Sequence, residues 1–204
     1  VFQTRLTENT SSYRERVRRL RESKYLEGDE PRLHDLLQEF CEVNTISLEH
    51  LRYAVSGEML ERATDRLARA HTVHLCGLRR SFPVATYLTY ALGRIGCAAN
   101  LIDGMGGQLN QQASCLLPED ALVAISFPPY APETADVVAQ ARETGCTLVV
   151  ITDSQLSPLA SHADACFAVP DAELYTFRSL TASMCLAQTL AVGVGLRLER
   201  VPAE

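Results

Sequence analysis

The chain has 204 residues, 47% of them hydrophobic, which is enough for one ordinary domain with a core and some added helix and too short for two large domains. Its net charge of -6 excludes a broad grip on nucleic acid, which needs clustered Lys and Arg. Seven Cys are scattered without a C-x-x-C pair, a pattern of free and mostly buried thiols in a reducing cytoplasm rather than of a disulfide or metal framework.

The first 70 residues read as helices. Ser11 or Ser12 can cap a helix through Ser23 that carries Arg14, Arg16, Arg18, Arg19 and Arg21; it is either a solvated arm or a contact for nucleic acid. Gly28-Asp29-Glu30-Pro31 forms a break, with Pro placed for a first helical turn. Leu33, Leu36, Leu37, Phe40, Val43 and Ile46, followed by Leu48 and Leu51, keep a helical spacing to about Val55. Ser56 caps a third helix with Leu60, Ala63, Leu67 and Ala70 on one stripe.

Beyond Ala70 the pattern changes to five short apolar runs: Thr72 to Cys76, Ala98 to Ile102, Ala121 to Ile125, Thr147 to Ile151 and Ala165 to Val169. Helix-like stretches separate them at Ser81 to Ile95, Gly106 to Cys115, Pro132 to Thr144 and, shorter, near Ser157 to His162. Strands without strict alternation, spaced by helices, predict an α/β fold: a five-stranded parallel sheet covered on both faces and doubly wound, with helices ahead of it. A last helix, from Phe177 to about Arg200, is apolar nearly all round and must be buried on more than one side, by the sheet or by a second copy of the chain. Arg197 and Arg200 suit its last turn, and Pro202 ends it. Thr181, Ser183, Gln188 and Thr189 interrupt its apolar stretch, so it is read as a core helix and no membrane is expected. The polar start shows no signal peptide, and a chain opening on Val is expected to be a processed or excised fragment.

Two strand-to-helix turns carry the chemistry. The first runs from His74 through Gly77-Leu78-Arg79-Arg80-Ser81 to Ala85; the second runs from Ala124 through Ser126-Phe127-Pro128-Pro129-Tyr130-Ala131-Pro132 to Thr134. A parallel sheet sets such turns side by side at its carboxyl edge, where helix N-termini offer free N–H groups to an anion. Ser81 can cap its helix or hold a phosphate, and Arg79 and Arg80 either add charge for a dianion or pair with carboxylates across a dimer. His71 and His74, with two residues between them, have no further ligand at metal spacing, so no metal and no cofactor is expected.

Gly77-Leu-Arg-Arg-Ser81 with Ala85, Ile125-Ser126, Thr134 with Val138 and Ala141, and the segment from Ile151 through Thr-Asp-Ser-Gln-Leu-Ser-Pro-Leu to Ala160 resemble the sugar isomerase (SIS) domain of RpiR/MurR-type bacterial transcription regulators, over roughly Ala70 to Arg200. The resemblance implies a flavodoxin-like doubly wound SIS domain at 57–204 and a helical linker and dimerisation segment at 1–56, after a helix-turn-helix domain that this chain lacks. It implies a cytoplasmic homodimer or higher oligomer that senses a phosphorylated sugar or acidic sugar derivative, with DNA bound only through the missing domain and no catalytic residue. The ligand-binding residues it implies are Gly77, Arg79, Arg80, Ser81, Ser126, Tyr130 and Thr134. Ser81 and Ser126 match the family's phosphate serines.

The chain departs from that pattern in two places. Arg79 stands where the commoner G-x-G-x-S has its second Gly. In the second turn Ser126 and Thr134 are eight apart rather than about five, prolines replace the inner Ser-Gly, and Glu133 and Asp136 start the helix where they repel phosphate. Phosphate is therefore expected to bind more weakly or in a different place. Two alternatives stay open: an aldose–ketose isomerase, with His162, Glu133 or Glu173 as the base, and a dimerisation module with a vestigial pocket.

Overall fold

A computed structural model describes residues 12–24 and 32–199. Among the described residues three helices precede the sheet: α1 (Tyr13–Lys24), α2 (Leu33–Ala54) and α3 (Gly57–Arg69). Ser12 Oγ accepts a capping bond from the Glu15 N–H at 3.2 Å, and Ser56 Oγ accepts from the Met59 N–H at 3.2 Å; the alternative cap Ser11 lies outside the described residues. The break at Gly28–Pro31, Arg200 and Pro202 lie outside the described residues.

The five expected strands form: β1 (Val73–Gly77), β2 (Ala99–Ile102), β3 (Ala121–Ile125), β4 (Thr147–Thr152) and β5 (Ala165–Ala168). They pair in parallel in the order β2-β1-β3-β4-β5, with Gly77 opposite Ile125. Between them run α4 (Phe82–Arg94), α5 (Leu109–Ala113) and α6 (Pro132–Thr144), and α7 (Thr181–Leu198) closes the fold.

Strand alternation divides the core. Val73, Leu75, Val123, Ile125, Val149, Ile151 and Phe167 face α3, α4 and α7, while Cys76, Leu122, Ala124, Leu148 and Val150 face α5 and α6. Because β1 continues to β2 on one side and β3 lies on the other, the chain reverses its winding between β1 and β3. Ligand crevices form at such a switch point, beyond the strand carboxyl ends.

Four sequence expectations are corrected. The stretch from Ser157 to His162 is a run of turns, because Pro158 withholds a donor and Ser157 Oγ accepts from the Leu159 N–H at 3.3 Å in place of a helical carbonyl. The expected helix from Gly106 shrinks to Leu109–Ala113, since Gly104 and Gly106 hold φ of 68° and 65° in the preceding turn. The last helix starts at Thr181 rather than Phe177: β6 (Glu173–Leu174) pairs antiparallel with β7 (Phe177–Arg178) around Tyr175 and Thr176, both at positive φ. All seven Cys are free, but Cys41, Cys115 and Cys185 are exposed, Cys97 is half-buried, and only Cys76, Cys146 and Cys166 are buried.

That hairpin ties the first helices to the sheet. Tyr13 meets the Phe177 ring edge-on at 5.0 Å, Arg16 Nη1 donates to the Thr176 carbonyl at 3.1 Å, and Tyr175 Oη donates to Glu39 at 2.9 Å. Lys24 pairs with Glu39, joining α1 to α2, and Ser47 Oγ donates to the Pro170 carbonyl. The α2 stripe is otherwise poorly covered, with Leu33, Leu37 and Ile46 more than half exposed.

By length and composition α7 could cross a membrane. It instead packs on α3 and α4 with Leu186, Leu190 and Val194 in the core, and Arg197 in its last turn pairs with Glu61 and Asp65 of α3. Gly193 permits the close crossing: a Cβ there would stand 2.7 Å from Thr64 Cγ2, and Thr64 is held by its own bond to the Leu60 carbonyl at 2.7 Å. Gly193→Ala therefore overpacks, at about 1–3 kcal/mol, more than offsetting the helix-propensity gain of about 1 kcal/mol. Thermal unfolding should show a lowered midpoint for Gly193→Ala and its recovery in Gly193→Ala/Thr64→Ser, where Cγ2 is gone and the hydroxyl bond stays.

Candidate functional site

The first turn begins where β1 ends. Gly77 is followed by a single 3-10 turn, Arg79–Ser81, whose Ser81 N–H donates to the Leu78 carbonyl at 3.1 Å. Ser81 is buried and its hydroxyl makes no capping bond, contrary to the capping alternative; Pro83 in the first turn of α4 removes one donor that a cap would have served. Arg79 takes φ of 56°, so the backbone keeps the left-handed conformation that suits the glycine of the commoner pattern. Its guanidinium reaches across to Glu133 at 3.3 Å, both side chains about half exposed.

The second turn leaves β3 at Ser126, which is buried and donates its N–H to the Ile151 carbonyl at 3.1 Å. A cis bond joins Pro128 to Pro129. Tyr130 Oη donates to Asp153 Oδ1 at 2.6 Å, and burial, then Asp153, pushes its phenol up. Thr134 is fully buried at the start of α6, and its Oγ1 has no hydrogen-bond partner among the described residues. Of the seven expected ligand residues, Gly77, Arg79, Arg80, Ser81 and Ser126 gather at the β1–β3 switch point. Tyr130 turns toward β4, and Thr134 lies under the surface.

Arg80 departs most from expectation. Its Nη2 pairs with Asp171 at 3.0 Å within the same chain, its Nη1 donates to the Ser179 carbonyl at 3.2 Å, and its guanidinium stacks on the Phe127 ring at 4.6 Å. Asp171 accepts in turn from the Ser183 N–H and Oγ at 3.2 and 3.0 Å. Burial pushes the Asp171 carboxyl up and the Arg80 guanidinium down, each against the pull of the pair. Arg178 Nε pairs with Glu173 at 3.0 Å and its Nη1 donates to the Pro128 carbonyl, so the hairpin holds the proline turn from outside. Arg16, Arg80 and Arg178 line a cavity of about 250 Å³ beside that turn. Neither Asp171 nor Arg178 was named from sequence, and no local motif marks them.

The candidate bases are dispersed. Glu133 is paired with Arg79 and Glu173 with Arg178, whereas His162 lies near Cys146 beyond the end of α6, toward the opposite edge of the sheet. His74 Nε2 and His71 Nδ1 converge on buried Asp120 at 3.2 and 3.6 Å. No group of three acidic, His or Cys residues suited to a metal occurs among the described residues.

Arg79 gives a direct test of the first turn. Arg79→Gly and Arg79→Val both lose the exposed Glu133 pair, worth about 0–1 kcal/mol, so their difference reads the backbone. Urea unfolding should show Arg79→Gly at least as stable as the parent, by up to about 1 kcal/mol, and Arg79→Val less stable by about 1–2 kcal/mol, because a β-branched residue is strained at positive φ.

Comparison with known proteins agrees with this architecture. The SIS domain family profile matches residues 66–193. The HTH-type transcriptional regulator HexR of Pseudomonas aeruginosa is 30% identical over 161 residues, 76% of this chain and 55% of HexR, so the chain spans about half the length of that relative. Among solved structures, the sugar isomerase domain of an RpiR transcription factor from Sphaerobacter thermophilus superposes with a TM-score of 0.75 at 24% identity, covering 80% of this chain and 90% of that one. The Vibrio vulnificus NanR protein complexed with ManNAc-6P gives 0.66 at 21% identity, covering 89% and 65%. The chain belongs to the SIS domain family and is similar to HexR over part of that protein's length.

Proposed function

We propose that the chain is the ligand-sensing and dimerisation part of a bacterial transcription regulator. It binds a phosphorylated sugar or related acidic carbohydrate at the carboxyl edge of the sheet, without a cofactor and without catalysing a reaction. The observation that carries this reading is the meeting of the Ser81 and Ser126 turns at the β1–β3 switch point, where a parallel sheet offers its crevice. HexR is named a transcription regulator, and the NanR structure holds a phosphorylated sugar. The dispersal of the three candidate bases argues against isomerisation: Glu133 and Glu173 are paired with arginines and His162 stands elsewhere.

In this reading residues 1–56 are the linker and dimerisation segment, 57–204 the sensor, and DNA is contacted by a helix-turn-helix reader outside this chain, in the cytoplasm. The uncovered α2 stripe supports a homodimer, since exposed apolar rows of this kind mark interfaces. Ligand binding then shifts the spacing of the linker helices.

Calorimetric titration with a panel of phosphorylated and acidic sugars should find a ligand, and Ser81→Ala should weaken it about tenfold or more, the worth of a hydrogen bond to a charged group. Binding by none of them overturns the reading. Sedimentation should show a dimer that Leu37→Glu/Ile46→Glu splits into folded monomers with unchanged circular dichroism; a parent chain that sediments as a monomer refutes the dimer.

A further inference from the structure

Carboxylates follow three of the strands at the edge where the two serine turns meet, and they differ in what they hold. Asp103, after β2, is turned into its own loop, where Oδ1 accepts from the Met105 N–H at 2.9 Å and from Gln112 Nε2 at 3.0 Å. Asp171, beyond β5, is buried and uses both oxygens on Arg80 and Ser183. Asp153, directly after β4, is exposed, and only its Oδ1 is engaged, by Tyr130 Oη at 2.6 Å and Thr152 Oγ1 at 3.2 Å. Its Oδ2 takes no hydrogen bond and no ion pair among the described residues. Glu133, at the start of α6, is already paired with Arg79 at 3.3 Å.

Asp153 also stands in the right place. Ile151 lies opposite Ile125 in the sheet and its carbonyl accepts from the Ser126 N–H at 3.1 Å, so Asp153 emerges beside the second serine turn. Neighbouring strands are about 4.8 Å apart, so a ligand anchored between β1 and β3 is about 7 Å from the end of β4, within reach of a hexose phosphate. The half-buried Tyr130 bridges the two loops, and its short bond fixes the carboxylate while leaving Oδ2 as an acceptor. A carboxylate so held accepts strongly from a sugar hydroxyl or an ammonium group and repels a second acid group.

We propose that Asp153, positioned by Tyr130, is the specificity residue for the end of the ligand away from the phosphate, and that it selects a neutral or amino sugar phosphate over one that carries a carboxylate. The inference rests on the reading that the domain takes a phosphorylated sugar at this edge, and narrows that reading by removing sugar acids. Tyr130 is then a positioning residue rather than a ligand contact. Like charge also sets the direction of binding: a phosphate over β4 would face Asp153, so the phosphate lies at the Ser81 end.

The test is calorimetry on the whole chain at fixed ionic strength. Glucose 6-phosphate and glucosamine 6-phosphate are compared with 6-phosphogluconate, and the rest of the sugar-phosphate panel is sorted in the same way by the presence of a carboxylate. The parent should bind the group without a carboxylate at least about tenfold more tightly, and Asp153→Asn, which keeps the shape and removes the charge, should bring the two groups to within about threefold. Tyr130→Phe, which keeps the ring and frees the carboxylate, should shrink the preference about threefold. Asp136→Asn removes equal charge from an exposed position on α6 and should leave the preference within about twofold. A parent that binds the sugar acids as tightly or more tightly overturns the inference while the sensor reading stands. A preference that survives Asp153→Asn, or that falls equally in Asp136→Asn, also overturns it. Binding of no sugar phosphate at all removes the sensor reading, and the inference with it.

Discussion

The geometry of the carboxyl edge depends on how closely β1 approaches its surroundings at Gly77. A Cβ at that position would stand 3.1 Å from the Ala85 Cβ, 3.1 Å from the Ser81 carbonyl oxygen and 3.3 Å from the Ile125 Cβ. A Cβ there would require the Ser81 carbonyl, Ala85 or Ile125 to give way by a few tenths of an ångström. With glycine the turn folds back at once, Ser81 sinks into the crevice, and the second turn starts alongside it. The reversal of strand order makes the crevice, and the missing Cβ keeps the two turns close together at its mouth.

Adjacent arginines in that turn have opposite fates. Arg79 is exposed, and its side chain spans the gap to Glu133, a link that solvent screens. Arg80 is largely withdrawn from solvent, and its charge is tolerated through Asp171, Ser179 and the Phe127 face together. A buried ion pair of this kind adds little net stability, yet it fixes where the guanidinium points. Through Asp171 and Ser183 it also fixes the start of α7 relative to the first turn.

What could be read from sequence follows physical range. The five strands, α3 and α6 were legible because their apolar periods repeat over enough residues to separate period two from period 3.6. The hairpin was not: each strand has two residues, and its turn sets Tyr175 and Thr176 at positive φ without the Gly that marks such turns. The two serine turns were legible as strand-to-helix junctions, and their meeting followed from a parallel sheet. The partners of the arginines were not, since Asp171 lies 91 residues from Arg80 and Pro128 lies 50 from Arg178, and no local pattern announces such pairs. The α2 stripe was legible as amphipathic, though a single chain leaves it open to solvent.

The two glycines of α7 limit how this domain can move. Gly193 seats α7 against Thr64 of α3, and Gly195 sits where a Cβ would be 3.4 Å from Ile95 Cδ1 at the end of α4. Turning α7 about its own axis would swing side chains into both contacts, so the helix behaves as a keyed shaft rather than a free roller. Motion that starts at the carboxyl edge is then diverted to the parts joined by polar contacts: the hairpin, α1, and the Lys24–Glu39 pair that links α1 to α2. Those bonds can break and re-form singly, whereas the α3–α4–α7 packing must give way as a whole. The packed half of the domain is thus the fixed reference against which any displacement of α1 and α2 would occur.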